Sequence, residues 1–104
     1  MTTAAPVEVE FTADGSLRLP AEVARRHFPS DALVAVPQAA ELWLLPLTGP
    51  EGGGLLLKQR NARGDRSTLI WEALEACPTD RRPTGTRAAR WDDTNGALRV
   101  ALDR

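Results

Sequence analysis

Apolar and polar positions alternate through Val7-Glu8-Val9-Glu10-Phe11, the two-residue period of a strand with one buried face. Ala13-Asp14-Gly15-Ser16 follows, and its Asp-Gly pair supplies a residue that accepts positive φ. Alternation resumes at Leu17-Arg18-Leu19, so the segment reads as a hairpin. Pro20 suits the first position of a helix, where its missing N–H would be unpaired in any case. In Ala21–Phe28 the side chains of Ala21, Ala24 and Phe28 share one helical face, and Pro29 ends the helix. Leu33–Val36 and Leu42–Leu45, separated by a break from Pro37 to Glu41, predict a second hairpin. The expected order is strand, strand, helix, strand, strand.

Beyond residue 54 the pattern predicts a strand over Leu55–Arg60, a turn over Asn61–Gly64 and a final hairpin. The two arms of that hairpin are Arg87–Trp91 and Ala97–Leu102, around Asp93-Thr94-Asn95-Gly96. An Asn-Gly pair between alternating runs is a strong hairpin signal. Ser67–Cys77 admits two readings. As a helix it aligns Leu69, Ile70, Ala73, Leu74 and Cys77 in one stripe before Pro78. As a strand it sets Leu69, Trp71 and Ala73 on one face, with Glu72 among the apolar residues of the other. The helix is favoured. The fold class expected is therefore α+β: β-dominated hairpins with one or two short helices, a class that allows two ββαββ-like halves.

Length and composition fit that class. The chain has 104 residues, 42% hydrophobic and 26% charged, enough for one small core and too few for a multidomain enzyme. Thr48–Gly54 carries Pro50 and three consecutive glycines and reads as a linker or long loop. It divides a ββαββ half (1–47) from a second β-rich half (55–104) expected to pack on it as one domain. The formal net charge of −1 excludes a binder held by bulk charge. That value conceals an asymmetry: residues 1–50 hold three basic and six acidic residues, whereas residues 51–104 hold ten basic and eight acidic. An anion-binding surface belongs in the second half.

A shift of 49 positions aligns Ala13 with Ala62, Gly15 with Gly64, Ala24 with Ala73 and Pro29 with Pro78. It also sets the core positions Val9 and Phe11 on Lys58 and Arg60, which opposes a duplication. Phe11–Arg25, with a turn glycine, an aliphatic residue, proline and a short helix ending in arginine, resembles the AbrB/MazE/MraZ swapped-hairpin module. Glu41–Pro46 is similar to the closing strand of MraZ-type repeats. The resemblance covers about residues 7–47 and implies a β-rich DNA-binding domain, dimeric or internally duplicated. Members of that family place a basic residue before the turn glycine. Here Asp14 stands there, with Glu8, Glu10 and Glu22 nearby, an arrangement that repels phosphates.

The candidate nucleic-acid-binding residues are Lys58, Gln59, Arg60, Asn61, Arg63 and Arg66. The four cations fall within nine residues and are countered by Asp65, while Gln59 and Asn61 could address base edges. Arg81, Arg82, Arg87 and Arg90 would extend the patch. No catalytic or metal-binding set stands out. With one cysteine (Cys77) and one histidine (His27), the chain can form neither an internal disulfide nor a Cys/His metal cluster. His27 reads as a helix-end residue, Cys77 as a small core residue and Ser67 as a helix N-cap. Asp92 and Asp93 read as the opening of the hairpin turn, and Arg63-Gly64-Asp65 as a chance tripeptide. Trp43, Trp71 and Trp91 are expected in the core.

The N-terminus lacks a basic region followed by an apolar run, and no apolar run is long enough to span a bilayer, so a cytoplasmic location is expected. The function expected is a small non-enzymatic binding protein without a small-molecule cofactor. Its partner is duplex DNA, gripped by the basic loop, or another protein for which this chain is an interaction module or assembly factor. The DNA reading favours a homodimer, because four phosphate contacts give only moderate affinity.

Overall fold

A computed structural model describes residues 6–38, 40–47, 54–70, 73 and 83–102. The elements are β1 (Val7–Phe11), β2 (Ser16–Leu19), α1 (Ala21–His27), β3 (Ala32–Gln38) and β4 (Glu41–Pro46). The second part of the chain adds β5 (Leu55–Leu56), β6 (Lys58–Gln59), β7 (Arg66–Leu69), β8 (Gly85–Asp92) and β9 (Ala97–Ala101). All nine strands belong to one antiparallel sheet with the order β5-β3-β4-β9-β8-β1-β2-β7-β6.

The two ends of that order, β5 and β6, are consecutive in the chain and separated only by Leu57. One short segment therefore pairs with β3 on one side and with β7 on the other, and the sheet curls into a nearly closed barrel. Leu57 marks the changeover. Its N–H donates to Asp31 O at 2.8 Å, and its side chain is buried. Arg66, at the start of β7, reaches the carboxylate of Asp31, just ahead of β3, at 3.0 Å.

This architecture corrects the α+β expectation. The described residues form a β-barrel-like sheet with one seven-residue helix, not a mixed fold of hairpins and helices. Ser67–Leu69, favoured as helix, lie in β7, where the backbone pairs with β2 from Ser16↔Leu69 to Leu19↔Arg66. Ser67 is thus a strand residue and caps no helix. Ala73 is helical, while Trp71, Glu72 and 74–82 lie outside the described residues. The idea of two ββαββ-like halves is corrected as well. The hairpins β1–β2 and β3–β4 do not pair with each other, because the β8–β9 hairpin is inserted between them.

What relates the two halves is strand pairing. Exchanging β2 with β7, β3 with β8, β4 with β9 and β1 with the β5–β6 segment leaves the cyclic strand order unchanged. The 49-residue shift carries the turn Thr12–Gly15 onto Asn61–Gly64. In both turns the glycine N–H donates to the first residue's carbonyl at 3.1 Å, and the glycine takes positive φ (88° and 95°). In both, a side-chain oxygen of the first residue accepts the N–H beyond the glycine: Thr12 Oγ1 from Ser16, Asn61 Oδ1 from Asp65.

The barrel interior is filled by the inward alternation of the strands: Val9, Phe11, Leu17, Leu19, Leu33, Leu42, Leu44, Leu98 and Val100, with Phe28 from the end of α1. Because Leu42 and Leu44 point inward, Trp43 points outward, so it is not the core residue its strand suggested. It lies half-buried beneath the Arg99 guanidinium, 5.0 Å from the ring centroid. Trp91 packs partly against the core and stacks on His27 at 4.1 Å.

Candidate functional site

The basic segment is the β6–β7 hairpin. Its tip is organised by Asn61, whose Oδ1 accepts the N–H groups of Arg63 and Asp65 and whose Nδ2 donates to Asp65 Oδ2 at 2.9 Å. Gln59 Nε2 donates to Asn61 O at 2.7 Å. Asp65 also accepts the Ala21 N–H at 2.9 Å, fastening the hairpin to the first turn of α1. These hydrogen bonds, Asn61 first and Ala21 second, hold the Asp65 carboxyl below the usual range. Gln59, Asn61 and Asp65 are thus committed to the loop itself.

The four cations divide into two kinds. Arg66 is part-buried, ion-paired to Asp31 and bonded to Gly64 O at 2.7 Å, so it is a structural residue. Arg63 is exposed but lies 3.2 Å from Asp65. Lys58 and Arg60 are exposed, and neither forms an ion pair among the described residues. The hairpin presents two uncompensated cations and one shared with a carboxylate, rather than four.

The extension of the patch is corrected in part. Arg87 points into the barrel, where it is 9% exposed and donates to the carbonyls of Leu102, Thr84 and Thr86. Its neighbour Arg90 is exposed, on the opposite parity of β8. Arg81 and Arg82 lie outside the described residues, as does Cys77.

Sequence reasoning missed an apolar pair on the same face. Leu56 and Leu69 are the exposed large hydrophobic residues among those described, at 53% and 64%. Leu56, just before the changeover at Leu57, pairs with Ala32 of β3, and Leu69 pairs with Ser16 of β2, while between them the β6–β7 register pairs Lys58 with Ser67. The signal that could have found them is the alternation of Leu55–Lys58 with Ser67–Ile70, once both are read as strands.

On the far side of the barrel a cleft of about 450 Å³ is bordered by β8, β9 and β4. Several of its polar groups are engaged with one another, while exposed Arg90 on its border forms no ion pair among the described residues. Arg99 bridges Glu41 (2.9 Å) and Asp92 (3.3 Å), and these partners, Glu41 first, raise its already high pKa. Asp92 caps the β8–β9 turn through Thr94 and Asn95 N–H, and the Asn95 side chain chiefly lowers its pKa. Trp91 Nε1 donates to Asp93 at 2.7 Å. Asp92 and Asp93 serve the β8–β9 turn, Asp92 by accepting its backbone N–H groups and Asp93 by accepting the Trp91 N–H.

No group of three or more potential metal-ligating residues occurs among the described residues, and none of their helices is long and apolar enough to cross a membrane. Comparison of the chain with protein families, with curated proteins and with solved structures returned no match.

Proposed function

We propose that this chain is a non-enzymatic interaction module that docks a protein partner on the outer face of β2, β7 and the β5–β6 segment. One observation carries the proposal: Leu56 and Leu69 are both exposed on the side of the sheet that carries Lys58 and Arg60, two exposed cations that form no ion pair among the described residues. Single exposed leucines are ordinary, but two on one face, bordered by cations without an ion pair, have the anatomy of a docking surface. The partner surface that fits it has room for the two leucines and carries acidic groups opposite the cations.

The test is affinity capture with the wild-type chain and with a Leu56→Asp/Leu69→Asp variant, from the cells that make the protein. The expected result is a partner retained by the wild type and lost by the variant. Equal capture by both overturns the proposal.

A second reading keeps the swapped-hairpin kinship of residues 7–47 and places duplex DNA on the same hairpin. Its support is the exposure of Lys58, Arg60 and Arg63 together at one loop. It requires duplex binding that falls steeply with salt and weakens in Arg60→Ala/Arg63→Ala. No binding at low salt removes it.

A further inference from the structure

We infer that the outer face of β1, β2, β7 and β6 is a self-association surface, on which Lys58 and Arg60 of one copy lie against Glu10 and Glu8 of a second copy. The inference rests on the docking face proposed above and names its occupant: a second copy of this chain.

The strand registers arrange the face in rows. Glu10 is opposite Arg18, Arg18 opposite Ser67, and Ser67 opposite Lys58, which makes one row of four across the sheet. Two residues beyond Glu10 and Lys58, on the same parity of the chain, stand Glu8 on the β1 flank and Arg60 on the β6 flank, where the Arg60 N–H donates to Asp65 O at 2.7 Å. In the other direction lie Thr12, Ser16 and Leu69, with Ser16 paired to Leu69, and on the β6 flank Leu56 stands two residues before Lys58. Each charged row begins with a glutamate on the β1 flank and ends with a cation on the β6 flank. The third has small polar side chains towards the β1 flank and the leucines towards the β6 flank.

A two-fold axis lying in this face, parallel to the strands and between β2 and β7, turns the β1 flank of one copy onto the β6 flank of the other. It keeps every row in place. Glu10 then meets Lys58 of the second copy, Glu8 meets Arg60 of the second copy, and both contacts occur twice. Leu56 and Leu69 of the second copy come down on Thr12 and Ser16, so large side chains face small ones. Such an isologous contact closes at two copies and leaves no free end for a filament.

A cleft of about 640 Å³ beside β1, bordered by Glu8, Glu10 and Glu22, gives the incoming cations a recess. Two of its arginines are already engaged, Arg18 with Glu10 at 3.4 Å and Arg63 with Asp65 at 3.2 Å, while Arg25 stands on its rim. Where the curved sheet falls away at its flanks, long Lys58 and Arg60 side chains are suited to span the widening gap. Ion pairs at such a rim are solvated and individually weak, so the association is predicted to be modest and salt-sensitive.

The test is sedimentation velocity of the full chain over a concentration series. The expected result is a dimer at about 0.1 M salt and a monomer at about 1 M, where the screening length shrinks from about 10 to about 3 Å. Lys58→Glu/Arg60→Glu and Glu8→Lys/Glu10→Lys are each expected to be monomeric, since each brings one sign to both flanks. An equimolar mixture of the two variants is expected to form a heterodimer, because their flanks are then complementary throughout. Circular dichroism establishes that both variants are folded.

A wild type that stays monomeric at low salt overturns the inference, as does a dimer that both variants retain. A mixture of folded variants that stays monomeric overturns it too. A monomeric wild type leaves the docking proposal to the Leu56/Leu69 capture comparison, so the two fail separately.

Discussion

At the scale of single residues, Arg66, read from the sequence as part of a phosphate-gripping patch, is instead a tie that fastens β7 to the start of β3. Asp31 takes a positive φ of 54°, a conformation that aspartate tolerates better than most residues, and there it meets both Leu57 N–H and Arg66. Arg66→Ala removes the ion pair and the bond to Gly64 O, and is expected to lower unfolding free energy by about 1–2 kcal/mol in urea titrations. The same truncation at exposed Arg60 is expected to leave stability within about 0.5 kcal/mol of wild type.

His27 supplies a pH dependence. Burial against Trp91, followed by repulsion from Arg26, lowers its pKa below the ordinary 6.5, with Asp93 opposing. The unfolded chain therefore takes up this proton at a higher pH than the folded one. Its contribution to stability is full above about pH 6.5 and is lost as pH falls through that value towards the lower folded pKa. Urea midpoints measured between pH 7.5 and 5 are expected to fall, and His27→Gln is expected to flatten that window while leaving the carboxylate-driven loss at lower pH.

At the scale of elements, the hairpins of the first half are legible because each combines alternation with defined turn chemistry. Gly15 is the positive-φ residue that the Asp-Gly pair promised, and Pro20 leads directly into α1. The helix favoured over Ser67–Cys77 failed at its start for a tertiary reason. Leu69 and Ile70 match a helical stripe, but β2 offers four cross-strand partners, and pairing outweighs local propensity. Register likewise decided the arginines of β8. The strand must bury either Arg87 with Ala89 or Ala88 with Arg90, and pairing of Val9 with Arg87 selects the first.

Two glycines separate close approach from turn geometry. A Cβ at Gly54 would lie 2.6 Å from Leu33 O and collide with the Leu47 side chain, whereas a Cβ at Gly96 meets nothing, although its φ is 62°. Gly54→Ala is expected to cost about 1–3 kcal/mol through overpacking, because a backbone atom must yield. Gly96→Ala is expected to cost about 1 kcal/mol through its dihedral alone. Thermal denaturation of both variants measures the difference, and equal losses would contradict the close-approach argument.

At the scale of the whole molecule, closure depends on the five residues 55–59, which serve two strands at once. Leu57 stands at the changeover with 6% exposure. Leu57→Ala is expected to destabilise by about 2–4 kcal/mol, measured by chemical denaturation. Protection of the β3 and β7 amides against hydrogen exchange should fall together in that variant, since both strands lose their shared neighbour. A loss confined to β7 would show that the segment does not couple the two ends of the sheet.

By itself, the sequence determined the turns at Gly15 and Gly96, the alternation of β1 and β2 and the helix after Pro20. These are local matters: alternation, turn dihedrals and proline act over a few residues. Only the tertiary structure decided that β8–β9 lies between the two hairpins of the first half, and that one short segment joins both ends of the sheet. It alone placed Arg87 inside, and Leu56 and Leu69 outside. Those outcomes depend on pairing between residues far apart in the chain, and a two-residue period is equally satisfied by several partners.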